Sequence, residues 1–135
     1  MIACSRREDT TGPIRVFLCD DTREFRTLVR CLLEEDGDIA VVGEAGDGEA
    51  GAEGVGETQP DVVLLDLSMP VSDGLETLPR LREVAPHSAV LVLSGMSAAR
   101  LRTSTDRLGA DGYLEKGVDP LELRRVVRAA ARLPA

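Results

Sequence analysis

Short apolar runs alternate with stretches of helical periodicity along this chain, and few architectures accept that alternation. The runs are IRVFLCD (14–20), IAVVGEA (39–45), VVLLDL (62–67), AVLVLSG (89–95) and GYLEK (112–116). Their valine, leucine and isoleucine content suits strands buried on both faces. Between the first two, Phe25, Leu28, Val29, Leu32 and Leu33 follow the i, i+3, i+4, i+7, i+8 spacing of a helix with one stripe against a sheet. Leu75, Leu78, Leu81 and Val84 repeat the device, as do Leu121, Leu123, Val126 and Val127. Helix starts are marked by Asp73 with Glu76, and by Asp119 with Pro120 and Glu122, residues that cap exposed N–H groups. Five β-α units result. A parallel crossover needs a helix, so the pattern predicts a doubly wound α/β domain with a parallel sheet covered on both faces.

The length, 135 residues, suits one such domain, and no linker or repeat divides it. No apolar run approaches the ~20 residues of a membrane span. The opening MIACSRREDTTGP carries arginines and acids where a signal peptide needs an apolar stretch, so residues 1–13 are expected to be a disordered tail on a cytoplasmic protein. The domain proper is expected over 14–133, with 134–135 as its end. Cys4, Cys19 and Cys31 lack C-x-x-C spacing and are expected to be buried, reduced thiols. The net charge of −8 opposes contact with nucleic acid. It is unevenly spread: from Ser97 onward eight basic and five acidic residues give +3, leaving −11 for the first 96 positions.

One motif suggests a different chemistry. VVGEAGDGEAG (41–51) sets Gly46, Gly48 and Gly51 in G-x-G-x-x-G spacing after a β-branched run, and Asp66 closes the next run. Its position argues against a dinucleotide: a Rossmann fingerprint follows the first strand, whereas this one follows the second. Asp47 and Glu49 would also repel a pyrophosphate at the helix N-terminus. Asp47 reads as a helix cap, and Gly51, Gly54 and Gly56 weaken the helix that follows, each by about 1 kcal/mol relative to alanine. That helix is expected to be the least stable.

In an open parallel sheet, ligands collect beyond the carboxyl ends of the strands. Strand 1 ends at Asp20-Asp21, strand 3 at Asp66, strand 4 at Ser94 and strand 5 just before Lys116. Three carboxylates brought together repel one another and need a compensating cation. Mg²⁺ takes such oxygen ligands. Lys116, the only lysine among sixteen basic residues, supplies a compact positive charge. A carboxylate beside a metal and a lysine can attack phosphorus and form an aspartyl phosphate.

With CDD, DLSMPVSDG, LSG and YLEKG in order over about Ile14 to Leu133, the chain resembles the receiver domains of bacterial two-component response regulators. The resemblance implies a (βα)₅ flavodoxin-like fold with strand order 2-1-3-4-5. It implies that Asp66 is the phosphoacceptor, taking its phosphoryl group from a sensor histidine kinase or phosphotransfer protein. Asp21, Asp66 and the backbone carbonyl of Ser68 would bind Mg²⁺, with Asp20 assisting. Ser94 and Tyr113 match the switch hydroxyl and switch aromatic, and Lys116 matches the lysine that pairs with the phosphoryl oxygens. Gly95 would leave room for that group, and Met96 would limit water access and lengthen its lifetime. Output would run to a partner or second copy through the surface of the fourth helix, fifth strand and fifth helix.

Two departures touch this pattern. Gly117 follows Lys116 where many relatives have proline, and a cis bond without proline costs about 3–4 kcal/mol, which leaves that bond's isomer open. Pro79 falls past the first turn of the third helix, where it removes a backbone hydrogen bond. Two other functions share some of these residues. A Mg²⁺-dependent phosphatase of the haloacid dehalogenase type needs an acid two residues after its nucleophile, where Ser68 stands here. A receiver module of a DNA-binding transcription factor would need a DNA-binding segment that 1–135 does not contain, since Arg124, Arg125, Arg128 and Arg132 of the last helix are expected to face solvent or a partner.

Overall fold

The structure, a computed structural model, describes residues 12–66, 74–94 and 109–132. Five strands, β1 (Ile14–Cys19), β2 (Ile39–Ala45), β3 (Val62–Asp66), β4 (Ala89–Ser94) and β5 (Gly112–Glu115), form one parallel sheet in the order β2-β1-β3-β4-β5. Four helices are described: α1 (Arg23–Glu34), α2 (Gly48–Thr58), α3 (Gly74–Val84) and α4 (Pro120–Ala131). The last is the fifth of the predicted helices; the predicted fourth falls in 95–108, outside the described residues. No helix among the described residues is long and apolar enough to cross a membrane.

Strand alternation divides the core in two. Val16, Leu18, Leu64, Leu91 and Leu93 pack with Val29 and Leu33 of α1 and Leu123 and Val127 of α4. Phe17, Cys19, Val63, Leu65 and Val90 pack with Val55 of α2 and Leu78 and Leu81 of α3. Both faces of β3 are therefore buried throughout, which is why its sequence reads as one unbroken apolar run.

Several expectations need correction. Not every residue of the apolar stripes faces the sheet: Leu28 is 52% exposed and Leu121 is 68% exposed. Leu28 lies about 120° around α1 from the arc centred on buried Val29 and Leu33, and Leu121 lies about 200° from buried Leu123 on α4. Cys19 is buried, and burial, reinforced by the charge of Asp47, pushes its thiol up to about 12. Cys31 is exposed, because it lies on the outer face of α1; Cys4 and the rest of 1–11 fall outside the described residues.

Arg124 is not a surface residue. It is only 4% exposed, since α4 crosses the end of α1 there: its guanidinium donates to the Leu32 carbonyl at 2.8 Å and pairs with Glu35 and Asp36. The last carbonyls of a helix lack internal partners, so a cation at that end satisfies them. Arg128 extends the clasp to Asp36 and Asp38.

The glycines of α2 also have a positive role. The helix forms over eleven residues, capped by Asp47, whose side chain accepts from the Ala50 N–H. A Cβ on Gly51 would come within 2.6 Å of the Cys19 sulfur, and one on Gly54 within 2.6 Å of the Phe17 ring. These two glycines let α2 lie close on β1. Pro79 sits inside α3, which continues through it, and Asp119 caps α4 ahead of Pro120.

Candidate functional site

The carboxyl ends of β1, β3, β4 and β5 meet at one edge of the sheet. β3 ends at Asp66, which is 1% exposed, and β1 leads directly into Asp20, which is 4% exposed. Asp21 follows on the exposed side. Carboxylate oxygens of Asp20, Asp21 and Asp66 all lie within 4.8 Å of one another, a grouping that could hold a metal ion.

Asp20 is fixed on several sides. Its N–H donates to the Ala45 carbonyl at 3.0 Å, its carbonyl accepts from Arg26 at 2.5 Å, and its Oδ1 accepts the Thr22 N–H at 2.8 Å. Its Oδ2 is buried without a hydrogen-bond partner. Burial raises the Asp20 carboxyl above its ordinary range and the nearby Asp66 charge adds to this, against the opposing Thr22 N–H and Lys116. An orphaned carboxylate oxygen within an all-oxygen donor set suits a hard divalent cation such as Mg²⁺.

Lys116 answers part of that charge. Its Nζ lies 3.0 Å from Asp66 Oδ2 and 3.7 Å from Asp20 Oδ2. Burial pulls this ammonium's pKa down, but the hydrogen bond to Asp66 and the charges of Asp66, Asp20 and Asp21 outweigh it, leaving a net rise. The ammonium also lies over the Phe25 ring, 4.8 Å from its centroid. The peptide after it is trans, and Gly117 takes a φ of 92° that disfavours side chains with a Cβ.

Ser94, buried at the end of β4, stands one step beyond Leu93, the register partner of Asp66. Its carbonyl accepts the Lys116 N–H at 2.8 Å, tying the turn after β5 to β4. Tyr113 is half-buried on β5 opposite Val92.

Comparison with known proteins gives this edge a context. The family model of the response regulator receiver domain matches residues 16–128. The chain belongs to the response regulator receiver family. It is 40% identical over 119 residues to the nitrate/nitrite response regulator protein NarL of Escherichia coli (strain K12), covering 88% of this chain and 55% of that protein. The receiver therefore spans little more than half the length of that relative. Among solved structures, it is similar to a two-component response regulator of the LuxR family from Aurantimonas sp. SI85-9A1, with a TM-score of 0.83, 30% identity and coverage of 89% of this chain and 86% of that one. It is also similar to the response regulator domain of Thermotoga maritima CheB, with a TM-score of 0.80, 28% identity and coverage of 88% and 96%.

The receiver fold brings Asp20, Asp21, Asp66 and Lys116 into one cluster and sets Ser94 at the neighbouring strand end. Ser68, Gly95 and Met96 lie outside the described residues, as do Met69, Pro70 and Asp73. Sequence reasoning missed Arg26 and Phe25 as neighbours of the site. Phe25 belongs by its spacing to the apolar stripe, yet its place in the first turn of α1 also sets it near the strand ends. Arg26 carried no separable signal among fifteen arginines.

Proposed function

We propose that this receiver is a phosphorylation-dependent signalling switch in which Asp66 accepts a phosphoryl group from a sensor histidine kinase or phosphotransfer protein. The observation that carries the reading is the buried Asp66 carboxylate held 3.0 Å from the Lys116 ammonium beside two further acids. An Asp66 oxygen forms the new O–P bond, while the bond from phosphorus to the donor histidine nitrogen breaks with its electron pair returning to the imidazole. Lys116 then pairs with the phosphoryl oxygens, and Ser94 and Tyr113 relay the change. Asp20, Asp21, Asp66 and the Ser68 carbonyl would hold Mg²⁺, which when bound offsets charge on the phosphoryl oxygens.

The phosphodonor has an apolar surface available beside Lys116. A groove of about 110 Å³ runs between α1 and the turn after β5, lined by Phe25, Leu28, Leu32, Val118 and Leu123. Output runs to a partner or a second copy through the predicted fourth helix, β5 and α4. The pairing of Arg124 and Arg128 with Glu35, Asp36 and Asp38, and of Arg125 with Glu122, supports a protein rather than a nucleic acid as the partner of α4. Similarity to the transcriptional regulatory protein YxjL of Bacillus subtilis (strain 168), 36% identical over 119 residues that cover 88% of this chain and 55% of that protein, supports a transcriptional regulator as the setting of such a switch.

Chemical-shift mapping with Mg²⁺ and the fluoride complex of beryllium, a phosphoryl mimic, tests the reading. Amides of Asp66, Ser94, Tyr113 and Lys116 are expected to shift together and saturably. Shifts confined to Asp20 and Asp21 would reduce the site to a metal site.

A further inference from the structure

We infer that Arg26 is a positioning residue for the acidic site, holding Asp20 in place through a clasp anchored on Glu44. The inference rests on the proposed phosphoacceptor chemistry, because it concerns how that site holds its cation.

Arg26 lies on the first turn of α1, and its guanidinium is forked between two groups. One amino nitrogen donates to the Asp20 carbonyl at 2.5 Å, while Nε donates to Glu44 Oε1 at 3.0 Å. Glu44 is near the end of β2, and Arg30, one turn further along α1, holds its other oxygen at 2.5 Å. The Asp20 N–H is bound to Ala45, the residue after Glu44. The end of β2 therefore reaches Asp20 twice, once through backbone and once through the Glu44–Arg26 relay. Arg26 is largely buried there, with its side chain 17% exposed.

This geometry fixes the Asp20 backbone while leaving Oδ2 without a hydrogen bond in the acid pocket, 3.7 Å from the Lys116 ammonium. A hard cation tolerates little misplacement of its oxygens, so a residue that sets the Asp20 main chain sets affinity without touching the ion. A planar two-point bridge is a task for arginine; lysine keeps the charge and loses the fork. Position and charge act in opposite directions here. If Arg26 acted only as a nearby positive charge, removing it would tighten binding of a cation.

The test is a Mg²⁺ titration of the full chain, followed by the amide shifts of Asp20, Asp21 and Thr22, with phosphorylation by a small phosphodonor measured in parallel. Arg26→Lys and Arg26→Gln are expected to raise the half-saturating Mg²⁺ concentration about tenfold while the spectrum stays dispersed. Arg30→Gln, which removes a contact to Glu44 but none to Asp20, is expected to change it by less than about twofold. Unchanged or tighter Mg²⁺ binding in Arg26→Lys would overturn the inference, as would an equal loss in Arg30→Gln. If Arg26→Gln fails to fold, Arg26→Lys decides the matter. A wild-type chain that neither binds Mg²⁺ nor accepts phosphate would sink the phosphoacceptor reading itself, whereas a wild type that does both beside an unaffected Arg26→Lys would sink only the role of Arg26.

Discussion

Lys116 Nζ stands 3.0 Å from Oδ2 of Asp66, a carboxylate almost wholly removed from solvent. Taking away one partner of a fully buried pair costs about 3–5 kcal/mol, and solvent reaching the ammonium reduces that here. Lys116→Met is therefore expected to destabilise the metal-free protein by about 2 kcal/mol in denaturant unfolding. Added Mg²⁺ should recover most of this stability by restoring positive charge, without recovering phosphoryl transfer. Equal recovery of both would remove the lysine from the chemistry.

Asp20 strains the metal-free fold in the opposite sense. Its carboxyl is raised by burial and by Asp66, so its charged form carries a penalty that is fully present above the folded pKa and vanishes below the ordinary carboxylate value. Asp20→Asn is expected to melt higher than wild type at neutral pH, with the gap closing as pH falls. The same substitution should weaken Mg²⁺ binding. A gap independent of pH would mean the stability difference is not electrostatic.

The α2 glycines separate helix propensity from packing. Gly54→Ala would place a Cβ 2.6 Å from Phe17 and is expected to destabilise by about 1–3 kcal/mol, despite alanine's better helix propensity. At Gly56 the nearest atom is Val84 Cβ at an ordinary 3.5 Å, so Gly56→Ala is expected to stabilise by about 0.5–1 kcal/mol. Thermal unfolding of the two variants checks both signs. Two stabilising substitutions would return α2 to the simpler view of a helix weakened by its glycines.

The clasp between α4 and the turn after α1 has its own acid limb. A hydrogen bond from Arg128 holds the Asp38 carboxyl below the usual range. This contribution is present above the ordinary carboxylate value and is lost as pH falls through the depressed folded value. Asp38→Asn should therefore lower stability at neutral pH and flatten the acid decline, modestly and less at high salt because the pair is accessible to solvent. A variant whose stability falls with acid as steeply as wild type would leave the pair without a role.

Much of this molecule is written in local pattern. Each predicted run became a strand ending within one residue of its expected position, because buried parallel strands carry few polar interruptions. Asp20, Asp66 and Lys116 could be paired on paper because the strand ends of such a sheet share one edge. The roles of Arg26, Arg124, Gly51 and Gly54 were not legible in the same way. Arg26 and Arg124 bridge groups brought together only by tertiary packing, so neither motif nor period marks them. Gly51 and Gly54 have helical spacing on the face shared with Ala52 and Val55, a hint of close approach that the G-x-G-x-x-G pattern obscured.

Covalent labelling of Asp66 tests the central claim most directly. The protein and its Asp66→Ala variant would be incubated with Mg²⁺ and a small phosphodonor, and their intact masses compared. The expected result is a single acid-stable, base-labile phosphoryl group on the wild type and none on the variant. Labelling that survives Asp66→Ala, or rapid catalytic turnover of phosphate esters, would contradict the account.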